Sequence, residues 1–521
     1  MKINSKKDAE SYLKKNIWKI IITVVLMIVL FSIGKNKCGF HTDEILTFHL
    51  ANCQYNQSLG VVTPEIIDGK KYAGEKLWTD YMAVQPGHKF DYKNVWANQA
   101  ADVHPPLYYC LIHTIASFFP NRCEPWMGLS LNVLLAMIVF WQMRWLFGNL
   151  LKNKRLATIF SLLFLFSVGF INSISFFRMY VLLMVWTNAL VILLMNTEPS
   201  SNDKTYYLKL YLIVLAGMMT QYYFSIFTCF ICIVYAVYVI QNRNYKKFFY
   251  STLTIITSVV TGVLVFPAMI KHIFQSGRGK EAFNNIHSGG FLEHLKIFLE
   301  TINKQLFAGR ALVILLFILG FTIIDFYVIK KHRPESDFIK KYLLIFVPTG
   351  VYCLFIAKLA PYQDIRYLMN ILGLVYIVVV GLVYYILKDF AEKKTELLVV
   401  IFFLILGSMG YKNGIPNFRL SEKENLKKLS ELGNISCIYL YDENYKWNIA
   451  ESFLELKELD DISFYEIKND NIVINTDAII VYVAREDDHT DAIARLMENN
   501  SRFLEKTKLF RYGSETVYYL H

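Results

Sequence analysis

The chain has 521 residues, with 54 Lys and Arg against 43 Asp and Glu, and 55% of it is hydrophobic. Its mean hydropathy is +0.33. One soluble core cannot bury that share of apolar surface, so an ordinary soluble domain is excluded and part of the chain must face lipid. The net charge of +11 does not point to nucleic acid, because the basic residues are spread over many short loops and form no basic face with interleaved aromatics.

A basic start carrying Lys2, Lys6, Lys7, Lys14, Lys15 and Lys19 precedes the first apolar run, 20–33. The residues that follow, Gly34-Lys35-Asn36-Lys37-Cys38, offer no small-residue cleavage site, so the run reads as an uncleaved anchor with residues 1–16 in the cytoplasm. Apolar runs near the roughly 20 residues a spanning helix needs recur as far as Leu406. The positive-inside rule assigns basic segments at 144–155, 204, 243–247, 330–341 and 388–394 to the cytoplasm. The segments 172–180, 221–224, 267–310 and 358–367 then lie outside.

Segment 105–119 is apolar, about 15 residues long and interrupted by His113, too short to span. If it crossed, every later basic loop would change sides. It is therefore expected as a helix in the outer interface, offering Tyr108, Tyr109 and His113 to headgroups. Eleven spans result, at about 17–34, 124–147, 156–172, 180–196, 207–220, 223–240, 250–268, 311–329, 342–357, 367–387 and 396–410, with boundaries loose by a few residues. The expected architecture is an α-helical polytopic membrane domain, 17–410, whose first outer loop is 35–123 and whose other long outer loop is 267–310.

An odd span count puts the C-terminus outside. From 411 to 521 the composition turns polar, and strand-like runs at 437–441, 462–467, 478–483 and 516–520 alternate with helical patterns near 449–459 and 491–499. This reads as a small extracytoplasmic α/β domain. It has neither a Gly-rich phosphate loop nor metal-ligand spacing, so a stabilising or acceptor-docking role is expected. Of the eight cysteines, Cys229 and Cys232 spell CxxC inside an apolar run, where small buried residues are the plain reading. Cys38, Cys53, Cys110 and Cys123 fall in the first outer loop and are free to form disulfides in an oxidising compartment.

The spans are nearly free of charge, with Asp325 and the border residues Arg144 and Lys209 as interruptions. Ion-coupled transporters carry acids or broken helices near the midplane, so this pattern speaks against transport. Ionisable residues gather instead on the expected outer side, at Asp43, Glu44, Asp102, His104, Arg178, Lys271, His272, Arg278, Lys280, Asp364 and Arg366.

In that set His41-Thr42-Asp43-Glu44, an Asp-Glu pair soon after the first span, and Asp102-Val103-His104-Pro105-Pro106-Leu107 resemble motifs of the GT-C superfamily of membrane glycosyltransferases. The likeness is to glycosyltransferase family 39, the protein O-mannosyltransferase and aminoarabinose-transferase type. Phe177-Arg178-Met179-Tyr180 and Asp364-Ile365-Arg366-Tyr367 resemble its later Arg-Met-Tyr and Arg-Tyr segments, in matching order and on the same side. The resemblance covers roughly 17–390. It departs from the family at Gly128, where many relatives carry an Arg (Arg122 is nearby), and at Gln221, where bacterial relatives often have a His. Both departures bear on the identity of the donor.

The resemblance implies a GT-C fold, a polyprenyl-phosphate sugar as donor, inversion at the anomeric carbon, and no metal or cofactor. The residues fit that chemistry on their own terms. A sugar on a lipid phosphate already carries a leaving group, so one base for the acceptor proton and cations for the phosphate suffice. Asp43 is the expected base, with Glu44 orienting it or the acceptor. Arg178 and Arg366 match phosphate oxygens in planar, bidentate fashion, although anchoring to headgroups is a competing role. Tyr180 and Tyr367 add hydroxyl donors, Asp102 and His104 line the same cavity, and Lys271 and Arg278 belong to a basic outer loop able to close over phosphate. Asp43, Glu44 and Asp102 could in principle hold a cation, but none is expected. The expected partners are membrane lipid, the donor and an extracytoplasmic acceptor, with no nucleic acid; the short basic loops and outer site fit a bacterial plasma membrane or an endoplasmic reticulum membrane, and the economy of the loops favours the bacterial one. A lipid-linked-sugar flippase and a non-catalytic envelope assembly protein are the alternatives.

Overall fold

The computed structural model describes residues 6–54, 64–324 and 336–521. Asp325 and part of the expected inner loop 330–341 lie outside the described residues. The chain opens with α1 (Lys6–Gly34), whose Ile17, Ile20, Ile21, Val24, Val25 and Ile28 are exposed while Leu26 and Leu30 are buried. An apolar face left open along a whole helix is stable only against acyl chains.

The first loop folds into four helices, α2 (Thr42–Asn52), α3 (Gly74–Met82), α4 (Tyr92–Ala101) and α5 (Leu107–Phe118). Twelve residues make α5 about 18 Å long, too short to cross, as expected. Its environment differs from the expectation, because Tyr108, Tyr109 and His113 are buried rather than turned to headgroups. Tyr108 donates to Asn132 at 3.1 Å and His113 meets Asn52 at 3.2 Å. These polar tips find partners inside the protein, and Phe118 and Phe119 are the exposed residues of this segment.

The membrane part continues through α6 (Pro125–Leu151), α7 (Lys154–Leu165), α8 (Val168–Ile174), α9 (Tyr180–Asn196), α10 (Lys204–Met218), α11 (Phe224–Gln241) and α12 (Tyr245–Val265). The second long loop, which the sequence left without elements, holds α13 (Ala268–Phe274), α14 (Gly277–His287) and α15 (Phe291–Phe307). Then come α16 (Ala311–Ile324), α17 (Ser336–Leu359) and α18 (Leu372–Gly410). Among the described residues seven helices are long and apolar enough to cross a bilayer, or nine if two bent pairs each count as one span. The pair α7 and α8 bends by 61°, and α15 with α16 by 82°. Eleven is reached only by adding α9 and α10, which at 17 and 15 residues fall short of the roughly 20 of a full span.

The run α18 is helical throughout, yet the rings of Tyr376 and Phe403 lie 5.9 Å apart. A straight helix would separate residues 27 positions apart by about 40 Å, so the two halves pack antiparallel, as two expected spans should.

The polar loops segregate to the two ends of the bundle. At one end Asn153 donates to Glu396 at 2.7 Å, Lys152 lies 4.0 Å from Asp337, Tyr238 bonds the Lys340 carbonyl at 3.2 Å and Asn244 bonds the Pro199 carbonyl at 3.1 Å. These are the basic segments that the charge rule placed together. The first loop and the C-terminal region occupy the other end. The protein is a multi-pass membrane protein.

The C-terminal region forms β2 (Cys437–Tyr441), β3 (Ile462–Glu466), β4 (Ile479–Ala484), β5 (Lys506–Tyr512) and β6 (Glu515–Leu520), with α19 (Leu420–Glu431), α20 (Phe453–Lys457) and α21 (Ala492–Asn499). A further strand, β1 (Lys71–Tyr72), comes from the first loop, and the sheet order is β1-β3-β2-β4-β6-β5. Strands β2, β3 and β4 run parallel, while β1, β5 and β6 pair antiparallel. Strands β1 and β5 were not foreseen. Successive residues face opposite sides: Cys437, Tyr439 and Tyr441 join the large core that continues into the membrane part, and Ile438 and Leu440 meet Ile493 and Leu496 of α21. Gly74 marks the tightest approach, since a Cβ there would fall 1.9 Å from the Leu456 carbonyl oxygen.

Candidate active site

The site begins with the cap of α2. His41 stands at the N-cap with extended backbone, its Nδ1 accepts from the Asp43 amide at 3.1 Å, and the Glu44 carboxylate accepts from the His41 amide at 2.5 Å. This reciprocal box fixes the first helical turn, which aims Asp43 into a cavity of about 540 Å3. Asp102, His104, Arg178, Tyr180, Arg278, Arg366 and Tyr367 line that cavity with Asp43, so eight of the ten residues singled out in the sequence meet there. Leu46, Ile226, Phe283 and Ile286 supply apolar wall.

Arg178, in the turn between α8 and α9, is buried. Its Nη1 donates to the Asp43 carbonyl at 3.1 Å, Thr47 Oγ1 at 2.7 Å and Tyr109 Oη at 3.0 Å. Its Nη2 lies 3.2 Å from His104 Nε2. A guanidinium only donates, so Nε2 accepts, and the Nδ1 proton goes to Asp102 Oδ2 at 2.7 Å. The line Asp102, His104, Arg178 thus holds the imidazole ring in one orientation. Burial raises the Asp102 carboxyl, and His104 with the Val103 amide outweighs it, so it stays below its ordinary range.

Arg366 closes the far side. Asp364 accepts from its amide at 2.9 Å, the rings of Tyr362 and Tyr367 flank its guanidinium at 5.8 and 5.3 Å, and its Nη1 donates to Asp43 Oδ2. Burial pushes the Asp43 carboxyl up, but Arg178 and then Arg366 outweigh it and hold it at about 2. Asp43 is therefore a carboxylate at any physiological pH, and a weakly basic one while Arg366 stays on it. At the mouth Arg278 donates to Tyr362 and Glu281, both at 2.9 Å. His272 Nε2 donates to the Ala100 carbonyl at 3.2 Å, which leaves Nδ1 to accept from Tyr222 at 2.8 Å.

The expectations for Glu44 and Lys271 are corrected, the first in part. Glu44 does not line the cavity: it is fully buried, and its two oxygens serve the His41 amide, the Phe177 amide at 2.6 Å and Lys37 Nζ at 2.9 Å, so it does not meet an acceptor, while the other expected role, orienting Asp43, fits these contacts. Lys271 is exposed on α13 and lies outside the cavity wall, because one helical step turns it away from the face that carries His272. Sequence reasoning missed Thr47 and the role of Tyr109. Thr47 had a readable signal, since it follows Asp43 by four positions and shares its helix face. No three His, Cys, Asp or Glu side chains converge as a metal site among the described residues. The eight cysteines are free thiols.

The cavity shares Ser225 with an apolar groove of about 280 Å3 lined by residues of α10, α11 and α12, including Val214, Met218, Ile233 and Val259. The cavity is lined by charged side chains at one end of the bundle, and the groove beside it is apolar. No family model matches the sequence, and no curated protein matches it. Solved structures similar to this chain include ArnT from Cupriavidus metallidurans bound to undecaprenyl phosphate, at 8% identity and TM-score 0.48, covering 97% of this chain and 98% of that one. The apo state of ArnT from the same organism is another, at 10% identity and TM-score 0.37, covering 94% of this chain and 97% of that one.

Proposed function

We propose that this protein is a GT-C membrane glycosyltransferase of the family 39 type that transfers a sugar from a polyprenyl-phosphate donor to an extracytoplasmic acceptor, with inversion and with Asp43 as general base. The observation that carries the reading is Asp43, whose carbonyl accepts from Arg178 and whose carboxylate accepts from Arg366, in a cavity that shares Ser225 with an apolar groove. The four sequence motifs, which meet around that cavity, are its second support.

In the reaction the acceptor oxygen attacks the anomeric carbon from the face opposite the phosphate. The carbon–oxygen bond to phosphate breaks with its electron pair going to the phosphate oxygen, and the acceptor proton passes to Asp43. The guanidiniums of Arg366 and Arg278 meet the charge that grows on phosphate. A phosphate drawing Arg366 to itself also frees Asp43 Oδ2, so the base gains basicity only once donor is present. Arg178 keeps its four acceptors and holds the geometry. The site needs no metal or cofactor in this scheme, the isoprenoid tail takes the groove, and the end bearing Asp43 faces outward from a bacterial plasma membrane with the N-terminus in the cytoplasm.

The test is radiolabel transfer from a panel of polyprenyl-phosphate sugars in membranes expressing equal amounts of wild type or Asp43→Asn. Wild-type transfer reduced about 10²- to 10⁴-fold in the variant is the expected loss for a general base. Equal, robust transfer by both removes Asp43 from that role.

A further inference from the structure

Three buried charges, Lys37, Glu44 and Glu422, and the partly buried Arg419 lie together outside the cavity lining. Lys37 and Glu44 side chains are 1% and 0% exposed and meet at 2.9 Å. Arg419 and Glu422, 9% and 1% exposed, form a second pair. The pairs touch through the backbone: Lys37 Nζ donates to the Asn417 carbonyl at 2.8 Å, and the Cys38 amide donates to the Phe418 carbonyl at 2.8 Å. Tyr512, at the end of β5, donates to Glu422 at 2.8 Å and accepts from Arg419. Gly39 is the residue that lets Glu422 come so near the first loop, as a Cβ there would fall 2.8 Å from Glu422 Oε2. Arg419 holds φ at +52°, a left-handed conformation that a side chain other than glycine keeps only when its surroundings fix it.

This seam joins the C-terminal sheet to two short segments that carry reacting groups. Glu44 Oε1 binds the Phe177 amide and Oε2 the His41 amide. Asp43 is the neighbour of Glu44, and Arg178 is the neighbour of Phe177. One carboxylate thus clamps the base and the guanidinium in register, and Lys37 with the 417–422 segment clamps the carboxylate. Burial pushes the Lys37 ammonium down and Glu44 opposes it, so its charge depends on that partner. A buried pair of this kind contributes little net stability but costs much when one member is removed, which suits a device for fixing geometry.

We infer that the C-terminal α/β unit is a structural part of the catalytic centre, and that Lys37, Glu44, Arg419 and Glu422 are positioning residues that set the distance between Asp43 and Arg178. The inference rests on the transferase reading above. A displacement of about 1 Å at a reacting group costs on the order of 100-fold in rate, so small movements of this seam reach the chemistry without touching the substrate.

The experiment compares detergent-purified wild type, Lys37→Met and Tyr512→Phe in transfer from the donor identified above, with kcat, donor KM and thermal unfolding measured on the same preparations. Lys37→Met is expected to lower kcat by about 10- to 100-fold per folded molecule, with donor KM within about twofold. Tyr512→Phe leaves every buried charge in place and lies in the far strand, so it covers the case in which Lys37→Met fails to fold. It is expected to lower kcat about two- to tenfold, again with KM unchanged. The inference is overturned if the folded variants turn over at the wild-type rate and differ only in melting temperature, or if the loss appears in KM. A wild type that transfers from no donor sinks the transferase reading instead.

Discussion

Arg178→Lys keeps the positive charge beside Asp43 and removes the planar fork. In the native site three acceptors lie on Nη1 and one, His104 Nε2, on Nη2. A lysine ammonium placed where Nη1 stands can serve the Asp43 carbonyl, Thr47 and Tyr109, but it cannot also reach His104, which sits on the other branch of the fork. The lost bond is charge-assisted, worth about 1.5 to 3 kcal/mol, and its loss leaves His104 Nε2 without a donor and Asp102 holding a ring free to rotate. The expected result is a fall in kcat/KM of roughly 10- to 150-fold, with the larger share in kcat because Arg366 and Arg278, which meet the phosphate, are untouched. The assay is single-turnover radiolabel transfer at saturating and subsaturating donor, beside Asp102→Asn, which attacks the same line from its other end. Transfer by Arg178→Lys within twofold of wild type would refute the reasoning, since charge alone would then suffice.

Lys271→Ala should transfer within about twofold of wild type, because Lys271 is exposed and outside the cavity wall; the same membrane assay reads it. Gly74→Val should destabilise the joint between β1 and the sheet by about 1 to 3 kcal/mol, as its Cβ would overlap the Leu456 carbonyl, and thermal unfolding measures it. Asp43 gives a pH signature of known sign. Its carboxyl is held at about 2, below its ordinary value of 3.8, so its stabilisation is full above about pH 4 and disappears as pH falls toward 2. That amounts to about 2 kcal/mol, and Asp43→Asn should flatten this limb of melting temperature against pH.

The amino-acid sequence by itself determined the class of the protein and the run of its membrane helices, because hydrophobic length and the placement of lysine and arginine are local quantities that lipid reads directly. It also singled out motifs that the fold brings together, for Asp43, His104, Arg178 and Arg366 stand in short segments beside span ends and meet around one cavity. The bends between α7 and α8 and between α15 and α16 and the burial of Tyr108, Tyr109 and His113 depend on packing partners far along the chain, which no window of the sequence contains.

Glu44 shows the same division at one residue. In the sequence Asp43 reads as the base and Glu44 as a group orienting it or the acceptor, and successive helical positions point about 100° apart. The turn that aims Asp43 into the cavity therefore turns Glu44 into the protein, where Lys37 and the Phe177 amide wait. Only the tertiary structure brought Arg419, Glu422 and Tyr512 behind that carboxylate from more than 370 residues away. Only it made one strand of the C-terminal sheet out of the first loop. Partners so distant in the chain leave no periodicity to read, and burial alone decides which charges must find each other.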